Sequence, residues 1–151
     1  MIEFNTDELD KLIAKEDELE TEIDVGVFDP LQVDKAVDLE YGDPSNNQPE
    51  RKVFRSAYSN KSRTSYKETR NQIIDYVDRF FEGRDLDKED LATELAAILQ
   101  EHIDNQDFPK TIEALKETTI RLKNLRGSST PEKIGIDTGD MVDSIKGIVR
   151  K

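Results

Sequence analysis

A change in hydrophobic periodicity near residue 60 constrains the fold of this chain more than any other feature. Ahead of it, the stretch TEIDVGVFDP alternates apolar and polar residues and stops at Pro30, which is typical of a strand. Behind it, apolar residues recur every three or four positions, which predicts a long helix from about residue 62 to 82 that ends near Gly83. The chain therefore has to combine strand and helix in one fold.

Capping residues and spacing predict two more helices after residue 83. Asp87 is a favourable N-cap for a helix that carries Leu95 and Leu99 on its buried face. Pro109 suits the first turn of a third helix, which Gly127 closes. Together with the first, these patterns predict about three long helices.

The remaining segments are shorter and complete the predicted fold. A very acidic helix is predicted within residues 1–20, a short helix within residues 31–41 and a loop over residues 41–50, while the final SIKGIVRK either extends a brief helix or forms an edge strand. We therefore expect an α+β fold, in which a small antiparallel sheet packs against about three long α-helices. A single domain over residues 21–151 would follow an acidic N-terminal helical arm over residues 1–20.

Composition excludes several kinds of site. The 151 residues include no cysteine, which removes disulfides, thiolate metal sites and thiol nucleophiles. His102 is the only histidine, so we expect neither a histidine metal pair nor a Ser/His relay, and its spacing from Ile98 predicts a half-buried position on a helix. The sequence shows no apolar run long enough for a membrane span and no signal-peptide layout, so we expect a soluble protein of the cytoplasm with no membrane partner.

Charge is distributed unevenly along the chain. Residues 1–40 contain 14 acidic and 3 basic residues, a net charge of −11, whereas the rest of the chain is nearly balanced. Residues 50–70, which we call the basic band, contain seven cations: Arg51, Lys52, Arg55, Lys61, Arg63, Lys67 and Arg70. This pattern suits a solvated helix start, contact with a partner, or self-association, in which the acidic segment of one copy meets the basic band of the next.

The tripeptide Asp137-Thr138-Gly139 is the one that aspartic proteases carry at their catalytic carboxylates. Such enzymes need two facing loops in β-rich lobes, so that two carboxylates share one proton, and this chain has one copy in a mostly helical pattern. Asp137, Asp140 and Asp143 lack the glycine and the distal glutamate of a calcium loop. We therefore expect no catalytic, cofactor or metal site, and we interpret Asp137 or Thr138 as a helix N-cap.

Several short motifs, taken in order, resemble a family of tailed-bacteriophage virion proteins of the neck and tail-completion kind. Members typically carry a Val-Gly strand, an Ala followed by Glu-(Phe or Tyr)-Gly, a Pro-x-Arg-x-Phe-(Leu or Arg)-x-Ala segment, and a late Asp-Thr-Gly followed by Ser-Ile. The matching positions in this chain are Val25 to Val27, Ala36, Glu40, Tyr41, Gly42, Pro49, Arg51, Phe54, Arg55, Ala57, Asp137, Thr138, Gly139, Ser144 and Ile145. Two departures are Val53, where the family usually has proline, and an acidic segment before Glu22 that has no counterpart.

The resemblance implies a non-enzymatic structural protein at the joint between the DNA-filled head and the tail. It would assemble in the host cytoplasm and reside in the virion. Its implied partners are copies of itself in a ring, with a hexamer as one candidate, and other neck and tail proteins such as connector and tail-terminator subunits. DNA would pass nearby without specific binding, and Asp-Thr-Gly would serve as a turn and cap.

Within that function, the segment QPERKVFRSAY is the predicted subunit interface. Arg51 and Arg55 offer planar, permanently charged groups to carboxylates of a neighbouring subunit, with Lys52 and Tyr58 beside them, while Phe54 is expected in the core. The alternative is a nucleic-acid-binding regulatory protein that uses the basic band, although the net charge of −12 opposes phosphate contacts. A small hydrolase built on the terminal carboxylates is a third, weaker hypothesis.

Overall fold

The structure is a computed structural model that describes residues 6–14, 16–136 and 139–150. Its elements, in chain order, are α1 (Thr6–Ala14), α2 (Glu16–Leu19), β1 (Ile23–Val27), α3 (Val33–Tyr41), a 3-10 helix (Pro44–Asn46), α4 (Val53–Ser59), α5 (Thr64–Phe81), α6 (Lys88–Asp104), α7 (Glu117–Leu125), α8 (Asp140–Asp143) and β2 (Ile145–Val149). The predicted α+β class is confirmed. None of the helices in the described part of the chain is both long and apolar enough to cross a membrane.

The sheet joins the two ends of the domain. β1 pairs with β2 in antiparallel register, with Ile23 opposite Val149 and Val27 opposite Ile145. The final segment is therefore a strand, which the sequence pattern had left open. Beyond the register, the Arg150 backbone N–H donates to the Glu22 carbonyl at 2.8 Å, so the pairing continues past the named strands.

Helix α6 is the central element of the core. It packs against α5 on one side and against both strands on the other. Its residues Leu99 and Ile103 are fully buried, as is Val53 from α4. The buried cluster around them also contains Leu39, Ala57, Ala96, Ile134, Met141, Val142 and Ile145. The sheet, α3, α4, α6 and α8 therefore all contribute to one buried cluster.

The close packing of α6 on the sheet requires a glycine at position 147. A Cβ atom placed on Gly147 would lie 2.1 Å from the Ala92 carbonyl oxygen, a separation that real side chains do not adopt. The same test on Gly26, in the partner strand, finds no atom within 4 Å. The backbone of β2 therefore lies directly against the first turns of α6.

Two of the three predicted long helices are confirmed, and the third begins later than expected. Helix α6 starts where Asp87 caps it, with the Asp87 carboxylate accepting from the Asp90 backbone N–H at 3.0 Å. The prediction that a helix begins at Pro109 is wrong, because residues 109–116 form turns and irregular structure and α7 begins only at Glu117. In this segment the carbonyls of residues 113 and 114 accept hydrogen bonds from the Arg51 side chain rather than from the following helix turn.

The predicted brief helix near the C-terminus is present as α8, but its cap differs from the prediction. The N-cap position is Gly139, with φ of 93°, a left-handed conformation that favours glycine. Asp137 and Thr138, which we had interpreted as the capping residues, lie outside the described residues. The cap therefore falls on the third residue of the tripeptide.

We predict that Gly147→Ala lowers the free energy of unfolding by about 1–3 kcal/mol, because the new methyl group must push α6 away from β2. Gly26→Ala is the matched control, since it adds the same methyl group in the partner strand where space is open. Its unfolding free energy should stay within about 0.5 kcal/mol of wild type. Urea unfolding measures both, and equal effects of the two substitutions would contradict the close contact.

Candidate functional site

The Glu40 carboxylate caps a helix that lacks a cap of its own. Helix α4 begins after Lys52, whose φ of 50° is left-handed and whose side chain makes no capping hydrogen bond. Glu40, near the end of α3 and only 6% exposed, accepts from the backbone N–H of Phe54 at 2.8 Å and of Arg55 at 3.3 Å. These are the N–H groups that an N-cap side chain normally satisfies, and a negative charge is favourable there. Glu40 therefore fastens α3 to the start of α4.

Arg55, at the surface, donates a further hydrogen bond to the Glu40 carboxylate. Its Nε donates to Glu40 Oε1 at 2.5 Å, and its second guanidinium nitrogen lies 3.0 Å from Glu50 Oε1. The guanidinium also lies over the Tyr41 ring, 5.1 Å from its centroid. The hydrogen bond to Glu40 raises the pKa of Arg55 above its ordinary value. Arg55 is thus exposed as predicted, but its charge is already paired within the chain.

The turn at Gly42 brings the two motif segments together. Its φ is 77°, and a Cβ there would lie 2.7 Å from both the Gln48 carbonyl oxygen and the Glu50 backbone nitrogen. The chain makes a short loop and returns beside α3, where the backbone N–H of Arg51 donates to the Leu39 carbonyl at 3.1 Å. Glu-Tyr-Gly and the segment after Pro49 are therefore held face to face, and Gly42 is needed for this approach.

Arg51 is largely buried and binds backbone carbonyls of its own chain, while its role at a subunit interface stays a prediction. It is 5% exposed, its Nε donates to the Glu113 carbonyl at 2.9 Å, and a second nitrogen lies 3.5 Å from the Ala114 carbonyl. Burial lowers the pKa of its guanidinium from the ordinary value, and the nearby Glu113 charge opposes that shift. Arg51 thereby anchors the irregular segment before α7.

The other interface candidates divide between core and surface. Phe54 packs against the buried cluster, which confirms its predicted core position. Tyr58, which is partly buried, packs there as well, and its interface role stays a prediction; burial raises its pKa to about 12. Lys52 is exposed, with its Nζ 4.0 Å from Glu50 Oε1. Of the predicted interface, Lys52 and Arg55 are the residues that remain at the surface.

The residues around Asp-Thr-Gly form structural contacts. Ser144 Oγ donates to the Met141 carbonyl at 2.6 Å and closes α8, after which the buried Ile145 starts β2. Asp140 and Asp143 lie in the single turn of α8. Within the described ranges, no group of three histidine, aspartate or glutamate side chains is placed to hold a metal ion.

His102 is the residue that sequence reasoning placed least well. It is 3% exposed rather than half-buried, and its Nε2 and Nδ1 lie 2.9 Å from Ser56 Oγ and 3.2 Å from Ser65 Oγ. The prediction of no Ser/His relay rests on the single histidine, and the sequence carries no signal for this cluster, because the two serines lie 46 and 37 positions away from His102. The spacing from Leu99 and Leu95, one and two turns earlier, was the available signal for full burial.

The Ser/His cluster is built as part of the core. Both serines are 4% exposed, and their hydroxyls lie within 2.9 Å of the Val53 and Ala57 carbonyls. Each serine hydroxyl donates its one hydrogen to a backbone carbonyl, so a neutral imidazole, which has one N–H, donates to one of the two serines. Burial lowers the pKa of His102 below its ordinary value of 6.5, with the Asp107 charge opposing that shift. The cluster therefore ties α4, α5 and α6 together around a neutral histidine.

We predict that Glu40→Gln lowers the free energy of unfolding by about 1–3 kcal/mol. The amide carries no charge at the start of α4, and it replaces one acceptor oxygen with an NH₂ donor beside the backbone N–H groups. Glu50→Gln is the matched control, since Glu50 is exposed and touches only the same arginine and Lys52. Its expected cost is about 0–1 kcal/mol. Denaturant titration followed by far-UV circular dichroism compares them, and indistinguishable midpoints would refute the capping role.

The lowered pKa of His102 predicts a loss of stability in mild acid. Between the folded-state pKa and about 6.5, the unfolded chain binds the proton and the folded chain does not, so the free energy of unfolding falls as pH drops through that window. The slope from this one group cannot exceed about 1.4 kcal/mol per pH unit. In His102→Gln this contribution to the pH slope should disappear as the pH falls below about 6.5. An unchanged pH slope in the variant would contradict the neutral, buried histidine.

Comparison with known proteins adds no relative to this picture. No protein-family model matches the chain, and neither a curated protein nor a solved structure is significantly similar to it. The functional argument therefore rests on the chain's own motifs and on the contacts that those motif residues make.

Proposed function

We propose that this chain is a non-enzymatic structural subunit of a tailed-phage virion, placed in the neck or tail-completion layer of the head-tail joint. The observation that carries the proposal is that the separated motifs of the resemblance contact one another. Glu40 of the Glu-Tyr-Gly motif caps the helix that contains Phe54 and Arg55. The Val-Gly strand, β1, pairs with the strand that follows Ser144.

The position of Val53 removes one departure from the family pattern. Val53 is the first residue of α4 and is fully buried. The first helical position is the one that tolerates proline best, because its N–H has no partner within the helix. A proline in other members and a valine in this chain therefore suit the same helix start. The departure is compatible with the resemblance.

Contacts around the polar motif residues support a structural rather than a catalytic role. The Glu40 carboxylate is occupied by two backbone N–H groups and Arg55, and the serine hydroxyls beside His102 are buried. A general base or nucleophile needs access to a substrate. These groups instead hold neighbouring elements in register.

The nucleic-acid-binding alternative loses support from the pairing of the basic band. Arg51 is buried, Arg55 pairs with Glu40 and Glu50, and Arg63 lies 2.8 Å from Asp107. Phosphate binding depends on positive charge that is free to replace counterions. The exposed cations left in the band include Lys61, Lys67 and Arg70 on a chain of net charge −12. A subunit that lets DNA pass without specific binding fits this balance.

The virion role is tested by removing the protein during phage assembly. We predict that an amber codon in its gene, in the genome that encodes it, yields heads and tails that form but do not join, or heads that leak DNA. Wild-type protein supplied from a plasmid should restore joined, infectious particles, and Gly26→Ala serves as a folded control that should restore them equally. Normal joined particles without the protein, counted by electron microscopy, would overturn the proposal.

Binding to double-stranded DNA distinguishes the alternative function. A structural subunit should show weak anisotropy change with labelled DNA at moderate salt. A regulatory protein should bind it with affinity that falls steeply between about 50 and 200 mM salt. Such binding, together with joined particles in the amber mutant, would favour the alternative.

A further inference from the structure

A groove beside α3 is lined by more positive than negative side chains. Its volume is about 480 Å³, and it is bounded by α3, the loop after it, α7 and the segment leading into α8. Five cations line it, namely Lys35, Arg51, Lys116, Lys123 and Arg126, against one acid, Asp38. This volume lies in the range of about 300–1,000 Å³ that is usual for ligand pockets. We call it the basic groove.

Arg51 is the observation that points to an acidic occupant. The side chain lines the groove but is only 5% exposed. Its guanidinium donates to the backbone carbonyls of residues 113 and 114. Among the described residues no carboxylate lies within ion-pair distance of it, and the charge of Glu113 acts on it only from farther away. Buried charges are normally paired, because carbonyl dipoles compensate only part of the desolvation cost. A carboxylate that enters the groove supplies the missing partner.

The acidic N-terminal arm has the complementary properties. Residues 1–20 contain eight acidic and two basic residues, a net charge of −6. Leu9 and Ile13 lie four residues apart on α1, so they share one face, and they are 50% and 57% exposed. The chain that carries this arm thus leaves its apolar stripe largely uncovered.

The groove offers apolar surface for such a stripe beside its positive charge. The partly buried Leu115 and Ile136 line it together with the five cations, and the core residues Leu39 and Met141 also border it. An amphipathic acidic helix presents both kinds of side chain at once, whereas a small inorganic anion uses only the charge. Leu9 and Ile13 are exposed, and none of the described residues of the arm lines the groove of the same chain.

We propose that the acidic arm of one copy docks in the basic groove of a neighbouring copy, with Leu9 and Ile13 on the apolar lining and arm carboxylates on the cations around Arg51. This deepens the proposed ring assembly and rests on it. Each subunit would give its arm to one neighbour and receive an arm from the other, the head-to-tail contact that closes a ring. The arm, which has no counterpart in the resembling family, thereby acquires a function.

Zero-length cross-linking of mixed isotopes tests the docking on the full-length protein. Copies labelled with ¹⁴N and ¹⁵N are mixed after dissociation, reassociated and treated with a carbodiimide, which joins a carboxylate to a lysine amine with loss of water. We expect mixed-isotope peptides that link arm residues such as Asp10 or Glu16 to Lys35 or Lys116. Links confined to one isotope, no arm links, or equal linking to Lys61 and Lys67 would each overturn the proposal.

Charge reversal provides the matched variants. Lys35→Glu with Lys116→Glu reverses two exposed cations in the groove, and should weaken self-association about tenfold or more by sedimentation. Lys61→Glu with Lys67→Glu changes the net charge equally outside the groove and should stay within about twofold of wild type. Adding Asp10→Lys and Glu16→Lys to the groove variant should restore association. No loss, or loss without restoration, contradicts docking by this arm.

The two proposals fail in different ways. Copies that associate, or that occur at the head-tail joint, without arm-to-groove links would refute only the docking. Mixed-isotope links in a protein whose removal leaves phage assembly normal would refute only the virion role.

Discussion

The fold depends on the buried carboxylate of Glu40, which caps the N-terminus of α4 in place of a side chain at the N-cap position. Glu40 reaches from the end of α3 to the first free N–H groups of α4, while Lys52 leaves that helix start without a side-chain acceptor. The sharp return at Gly42 is what makes the distance short enough. Because α4 contributes Val53 and Ala57 to the core, the contact between Glu40 and α4 also positions these residues against α6 and the sheet.

Arg51 has a comparable effect on the opposite side of the same segment. It follows the loop that Gly42 allows, and its side chain holds residues 113 and 114 in an irregular path up to α7. That path forms one wall of the basic groove, whose charge the arm complements. Between Pro49 and Ser59, Arg51 binds the segment before α7, and the start of α4 is capped by Glu40. Lys52 and Arg55 of the same segment are exposed. Arg51 and Arg55 therefore make different contacts, although they lie only four residues apart in the sequence.

Local signals predicted much of this fold, whereas long-range contacts were hidden from the sequence. The alternation in IDVGV, the periodicity of α5 and the Asp87 cap are effects of neighbouring residues, so they were readable. The late start of α7 was not, because it depends on a guanidinium more than 60 residues earlier. The Ser/His cluster escaped for the same reason. The sequence did not show which acceptors Arg51 and Arg55 bind. The acceptors of Arg51 are backbone carbonyls of residues 113 and 114, and Arg55 binds the carboxylate of Glu40, 15 positions earlier.

The central claim is that these motifs build a subunit that assembles with its own copies at the head-tail joint. Cryo-electron microscopy of the neck of intact virions tests it most directly. The account predicts a closed ring of this chain around the DNA path, with α4 capped by Glu40 in every copy and acidic arm density in each neighbour's basic groove. Neck density that accommodates no copy of this fold would contradict the account.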